Sequence, residues 1–166
     1  MEAVILWVLA AMVLLPALWL TIGALENLFH PAINETFTTE VMDMARLRAD
    51  YPEAYDLVAY RRVTNPALTR AAFRLVVGWE ILSALALWIA VIGLFLAALG
   101  LSDPGAAMIR GLVASAMFTA TWCGFLVVGN WYCYWFGHEG AQVTHFHMTL
   151  WGFAVMILLM LGFLVL

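Results

Sequence analysis

The sequence is short of charge. Only 11% of its 166 residues are charged, there is no lysine, and 66% are hydrophobic. A water-soluble domain of this length needs far more charge to cover its surface, so the composition excludes a soluble protein and predicts an integral membrane protein. The formal net charge of -4 gives no support to nucleic-acid binding.

The motifs of common nucleotide, redox and protease sites are also missing. The sequence contains no GxGxxG, no Walker loop, no CxxC or CxxCH and no HExxH. Its two cysteines, Cys123 and Cys133, lie on one predicted helix about 15 Å apart along the axis, which is too far for a disulfide. We predict no catalytic residues.

Four apolar segments are each long enough for the roughly 20 residues that cross a bilayer. They cover residues 3–24, 71–100, 106–135 and 147–166 approximately. The first has no basic n-region and its apolar run is longer than that of a signal peptide, so we expect a retained helix, kinked near Pro16. The fold class predicted is all-α: one membrane domain, residues 1–166, built as a four-helix bundle.

The polar loop between the first two segments, about residues 25–70, is predicted to be structured. Thr38 or Thr39 is a candidate cap for a short amphipathic helix, with Val41, Met44 and Leu47 on one face. Pro52 ends that helix, and a second short helix follows. Asn65-Pro66 then marks the start of the next membrane helix.

Four spans place the long loop and the link between the last two helices on one side, and both termini on the other. Six of the seven arginines belong to the long-loop side, and only Arg110 to the other. The positive-inside rule would put the long loop in the cytoplasm.

Several polar side chains are expected near the helix ends on the long-loop side. Glu80 is the most informative, because it lies about 9 Å deeper than Arg74 along an apolar helix. A buried carboxylate there is either a structural tie, bonded to Asn130, a histidine or a loop amide, or part of a proton relay or ligand site. The predicted structural polar cluster consists of Glu26, Asn27, Glu80, Asn130 and His147.

Three of the four histidines lie in the stretch NWYCYWFGHEGAQVTHFHMTLWG, residues 130–152. By ligand type, zinc, copper or iron would suit a site of His30, His138, Glu139 and either His145 or His147. Two histidines on different helices would also suit haem. Against this, His145 and His147 point about 200° apart on a regular helix, and interfacial histidines and aromatics are common. We therefore predict a polar, aromatic collar and no cofactor, with a metal or haem site as the alternative.

Three stretches of the sequence carry a family resemblance. They contain Asn27, Asn34, Phe37, Val41 and Met44 after the first helix; Tyr60, Arg61, Pro66, Phe73 and Glu80 around the second; and Gly129, Trp131, Trp135, Phe146 and Met148 around the last link. In these positions the chain resembles the small bacterial integral membrane proteins catalogued as domain of unknown function 2165. The resemblance spans nearly the whole chain. It implies a four-helix protein and carries over no activity, substrate or catalytic residues.

The chain departs from the family pattern at four polar positions. Glu26 replaces an Asn, His30 an Asp, Asn130 a Glu and His147 an Arg. These changes are either compensated drift that keeps the local charge balanced or a site altered for a new ligand. The resemblance also implies an outward-facing long loop, opposite to the arginine count, so orientation stays open.

Two functions of different classes are compatible with these observations. The first is a non-catalytic accessory subunit, in contact with lipids and other transmembrane subunits of a respiratory or photosynthetic complex in the bacterial inner (cytoplasmic) membrane. The second is a metal- or haem-binding redox protein that uses the histidine-rich face. A transporter is a weaker hypothesis, because there is one buried carboxylate and no internal repeat.

Overall fold

The chain is mostly helical and has no strand in the structure, a computed structural model that describes residues 1–166. The helices are α1 (Glu2–Phe29), α2 (Ala32–Met42), α3 (Ala45–Asp50), α4 (Pro52–Val58), a 3₁₀ turn (Ala59–Arg61), α5 (Pro66–Ala98), α6 (Pro104–Trp131) and α7 (Glu139–Val165). Four of them, α1, α5, α6 and α7, are long and apolar enough to cross a membrane. The predicted all-α membrane bundle is confirmed.

The four long helices pack in sequence order as neighbours. α1 packs on α5, α5 on α6 and α6 on α7, whereas α1 and α7 meet more sparsely. The interior is apolar, and its largest fully buried side chain is that of Phe118. Small residues let the helices approach: a Cβ added to Gly152 of α7 would collide with the side chain of Thr119 on α6. Close packing of this kind drives helix association in lipid.

The starts of α5 and α6 follow local sequence signals. The side chain of Asn65 accepts a hydrogen bond from the amide of Ala67, and Asp103 accepts one from Ala106. In each case proline follows at the first helical position, where its missing N–H costs nothing. The predicted start of the second membrane helix at Asn65-Pro66 is therefore correct.

The polar loop forms an ordered cap, which we define as residues 32–61, over one end of the bundle. The loop is helical, as predicted, but the first predicted helix is divided into α2 and α3. The predicted N-cap at Thr38 or Thr39 is also wrong, because α2 already begins at Ala32. The hydroxyl of Thr38 instead donates to the carbonyl of Asn34 one turn earlier. The chain breaks between α2 and α3 at Met44, which has a left-handed backbone conformation with φ of 52°.

The membrane helices differ from the apolar segments at their ends. α7 begins at Glu139, well before residue 147, and α6 ends at Trp131 rather than near residue 135. Between them is a link, residues 132–138, that turns through Cys133 and Gly137, both with positive φ. Helices continue into the polar boundary because their backbone groups must remain bonded near the hydrocarbon. Pro16 is buried within α1, which stays continuous around it.

Candidate functional site

A chain of three polar side chains lies where the cap meets the bundle. The Nδ2 atom of Asn27, at the end of α1, donates to Oε2 of Glu80 on α5 over 2.8 Å. The Nδ2 atom of Asn34, on α2, in turn donates to Oδ1 of Asn27 over 2.6 Å. Asn27 is 8% exposed and Glu80 6%. The buried carboxylate is thus linked by two amides to the cap.

The three elements that carry this polar chain are fixed independently of it. α1 and α5 pack along their length, and α2 lies against α5. An ion pair between Arg70 of α5 and Glu35 of α2, 3.1 Å long, adds a second contact between cap and bundle. Each of the two hydrogen bonds supplies an amide donor to a side-chain oxygen, of Glu80 in one case and of Asn27 in the other. The polar chain is a structural tie between the cap and the membrane helices α1 and α5.

The predicted polar cluster is therefore divided in the structure. Asn27 and Glu80 are brought together, whereas Glu26, Asn130 and His147 are exposed, and their side chains make no hydrogen bond or ion pair within the chain. The tie expected for Glu80 exists, but its partner is Asn27, not Asn130 or a histidine. Asn130 and His147, two of the four departures from the family pattern, do not bond to each other.

The third side chain of the polar chain, Asn34, is not part of the predicted cluster. It was noted only as a position of family resemblance. The sequence does show that Asn27 and Asn34 are the two side-chain amides nearest the end of α1. It does not show that the turn at residues 30–31 brings them within hydrogen-bond distance. A bend of this kind is not readable from helical periodicity.

The predicted metal ligands lie in different environments and do not form one group. His30 is exposed at the end of α1, and the Glu139 carboxylate accepts from the backbone amide of Gly137. The ring of His138 packs edge-on against Phe37 of the cap, 4.8 Å between centroids. No group of three or more His, Cys, Asp or Glu side chains is arranged to hold a metal ion. The metal or haem hypothesis stays a prediction without an assembled ligand set.

His145 belongs to an aromatic cluster between α6, the link and α7. Its Nδ1 lies 3.3 Å from the hydroxyl of Tyr134, and the rings of Trp122 and Phe125 contact it on α6. Because α7 is helical from Glu139, His147 faces away from this cluster and is exposed. His145 and His147 therefore do not face one common site, as the angle of about 200° between them on a regular helix predicts.

The cap is held to the link by packing and by one arginine. Met44 and Leu47 of the cap form a small buried cluster with Cys133 of the link. Arg61 donates from Nη1 to the carbonyl oxygen of Trp131 over 3.2 Å, and its guanidinium carbon lies 4.7 Å from the centre of the Trp131 ring. A cation at the end of α6 also complements the negative end of the helix dipole.

Burial shifts the pKa of a phenol and of an imidazole at this contact. Burial raises the pKa of the Tyr134 phenol. Burial also lowers the pKa of His138, and the positive charge of Arg46 lowers it further, while Glu40 and Glu139 oppose the shift. The Nε2 atom of His138 is buried and has no hydrogen-bond partner. His138 is therefore favoured as the neutral imidazole.

The comparisons with known proteins agree with this architecture. A family model described as "Predicted small integral membrane protein (DUF2165)" matches residues 5–162. The chain belongs to this family. Neither the curated proteins nor the solved structures gave a match.

Membership of the DUF2165 family confirms the resemblance seen in the sequence. The matched residues include α5, α6, the cap, the link and all but the outermost few residues of α1 and α7. The family description, a predicted small integral membrane protein, agrees with four helices that are able to cross a bilayer. Within this DUF2165 protein, the polar chain from Asn34 to Glu80 links the cap to two membrane helices.

Proposed function

We propose that this DUF2165 protein is a non-catalytic accessory subunit of a larger complex, of respiratory or photosynthetic type, in the bacterial inner (cytoplasmic) membrane. The observation that carries the proposal is the open outer face of α7. This helix packs chiefly on α6, and only 28% of its most apolar stretch is buried within the chain, compared with 44% for α5. A partner subunit would cover this face.

The exposed side of α7 has the spacing of a helix-packing surface. Its large apolar residues recur at alternating intervals of four and three positions: Phe146, Leu150, Phe153, Ile157, Met160 and Leu164, all exposed. Apolar residues repeating in this way form a stripe along which a second helix packs at a small crossing angle. In lipid, packing of this kind is a main source of helix association.

The buried polar groups support a structural role. Glu80, the charged residue most enclosed by the bundle, is occupied by its bond to Asn27, and Asn27 is occupied by Asn34. These bonds join the cap to two membrane helices. We infer that they maintain the shape that the partner recognises, so the activity of the complex would reside in the partner subunits.

The test is native purification of the full chain from its own membranes. A tagged copy is extracted in a mild detergent, separated by blue native electrophoresis and analysed by mass spectrometry. We expect stoichiometric membrane proteins to run with it. If the wild-type chain always runs alone, the proposal fails.

Two matched double variants test whether the partner binds the outer face of α7. Phe153→Ala with Ile157→Ala truncates the outer surface of α7, and Leu82→Ala with Leu85→Ala truncates the equally exposed outer surface of α5. We expect loss of the partner with the α7 pair and retention with the α5 pair. Equal retention or equal loss would contradict the assignment of the interface to α7.

A further inference from the structure

Arg74 is the one arginine on the cap side without a partner in the chain. It is exposed, and its guanidinium makes no hydrogen bond or ion pair with another residue. The other arginines of this side are engaged with acids or with the Trp131 carbonyl: Arg46, Arg48, Arg61, Arg62 and Arg70. The guanidinium of Arg74 is therefore free to bind a group from outside the chain.

Counted along α5, Arg74 falls at the depth expected for the lipid headgroups. Glu80 bonds to Asn27 close to the end of α1, where the exposed polar residues Glu26 and His30 begin. Arg74 lies about 9 Å further toward the cap along α5. The headgroup layer is about 5–7 Å thick on each side of the hydrocarbon, and arginine side chains reach into it from either direction.

The surface beside Arg74 has room for a headgroup. A shallow depression on the outside of α5 is lined by Arg70 and Arg74, one turn apart, with Ala67, Ala71 and Leu75. Only Nε of Arg70 is engaged, by Glu35 over 3.1 Å. The two arginines and one carboxylate leave one positive charge, which matches the single negative charge of a phosphodiester. Exposed Leu75 offers apolar contact on the hydrocarbon side.

We propose that Arg74, with Arg70, binds the phosphodiester of a glycerophospholipid at the cap-side surface of the membrane. Guanidinium groups bind phosphate through paired, charge-assisted hydrogen bonds, and two of them on one helix face can hold one phosphate. The apolar side of the depression would then receive the glycerol and the start of the acyl chains. Because the site is on α5, it is separate from the proposed partner face on α7.

The experiment uses the purified full chain in detergent, titrated with palmitoyl-oleoyl phosphatidylglycerol and observed by native mass spectrometry. We expect Arg74→Gln to weaken binding of this lipid about fivefold or more, and Arg74→Lys to weaken it less because the charge remains. Glu35→Gln should strengthen binding, since the acid that competes for Arg70 is gone. These substitutions are on the surface, and the far-ultraviolet circular dichroism spectrum verifies folding.

Arg48→Gln is the matched control, because it removes one positive charge from the cap at an ion pair with Asp43. It should leave lipid binding unchanged. If Arg74→Gln binds like the wild type, or if Arg48→Gln weakens binding equally, the site is wrong. Inorganic phosphate is added as a competitor: no displacement at millimolar concentration supports a lipid site, and displacement would identify a general anion site instead.

Discussion

Asn27 and Glu80 meet inside the bundle, with the amide nitrogen of one 2.8 Å from a carboxylate oxygen of the other. This contact joins the end of α1 to the interior of α5. Through the further bond from Asn34, 2.6 Å long, it also joins both helices to the cap. An ionisable side chain in a membrane helix is here accounted for by a structural partner on a neighbouring helix.

Removal of the amide should destabilise the bundle. Asn27→Ala leaves the Glu80 carboxylate buried without its donor and frees the Asn34 amide, so we expect a loss of about 1–2 kcal/mol in the free energy of unfolding. Thermal unfolding in detergent, followed by circular dichroism, measures it. Glu26→Ala, one residue earlier and exposed, should change the midpoint little.

The same approach tests the packing of α6 on α7. A methyl group on Gly152 would meet the Thr119 side chain, and Phe118 at 3.2 Å, so Gly152→Ala should destabilise the bundle by about 1–3 kcal/mol. A methyl group on Gly124 of α6 has nothing within 4 Å. Gly124→Ala should therefore be neutral or slightly stabilising. Equal effects of the two variants on the unfolding midpoint would contradict the close contact.

The four membrane helices were predictable because their signals are local. Length, apolarity and the Asn65-Pro66 start do not depend on distant residues. The bonding partner of Glu80 depends instead on how far α1 and α5 are rotated about their axes, which a uniformly apolar sequence leaves undetermined. Exposure of Asn130 and His147 has the same origin. Met44 and Cys133 have left-handed backbone conformations although neither is glycine or asparagine. The sequence therefore does not predict the turns at these two residues.

The cap should loosen when Arg61 is removed. Its guanidinium contacts both the carbonyl and the ring of Trp131, and its Nη1 lies 4.0 Å from the sulfur of Cys133. In a Cys123→Ala background, Arg61→Ala should raise the rate at which a maleimide labels buried Cys133 several-fold at constant pH. Arg48→Ala removes an ion pair with Asp43 inside the cap and should leave the rate nearly unchanged. A larger increase in the labelling rate with the control variant than with Arg61→Ala would show that Arg61 does not hold the cap to the link.

The stability of the cap should depend on pH through His138. Burial lowers the pKa of this imidazole in the closed cap below its ordinary value of about 6.5. An opened cap then binds more protons than a closed one, so stability falls as pH falls through about 6.5 and below. Hydrogen exchange of α2 and α3, corrected for the intrinsic rate, should therefore become faster as the pH is lowered from about 7.5 to about 5.

Two histidine variants test whether His138 causes the pH dependence of cap stability. His138→Gln should abolish the pH dependence of exchange in α2 and α3, and His30→Gln, at an exposed position, should retain it. A pH dependence that survives in His138→Gln would assign the effect to another group.

The structural role of the buried polar chain is tested most directly by a double-mutant cycle on thermal unfolding. Asn27→Ala, Glu80→Ala and the double variant are compared with the wild type. The account predicts a coupling free energy of about 0.5–2 kcal/mol between the two positions. Strictly additive effects, with no coupling, would show that Asn27 and Glu80 do not stabilise one another and would contradict it.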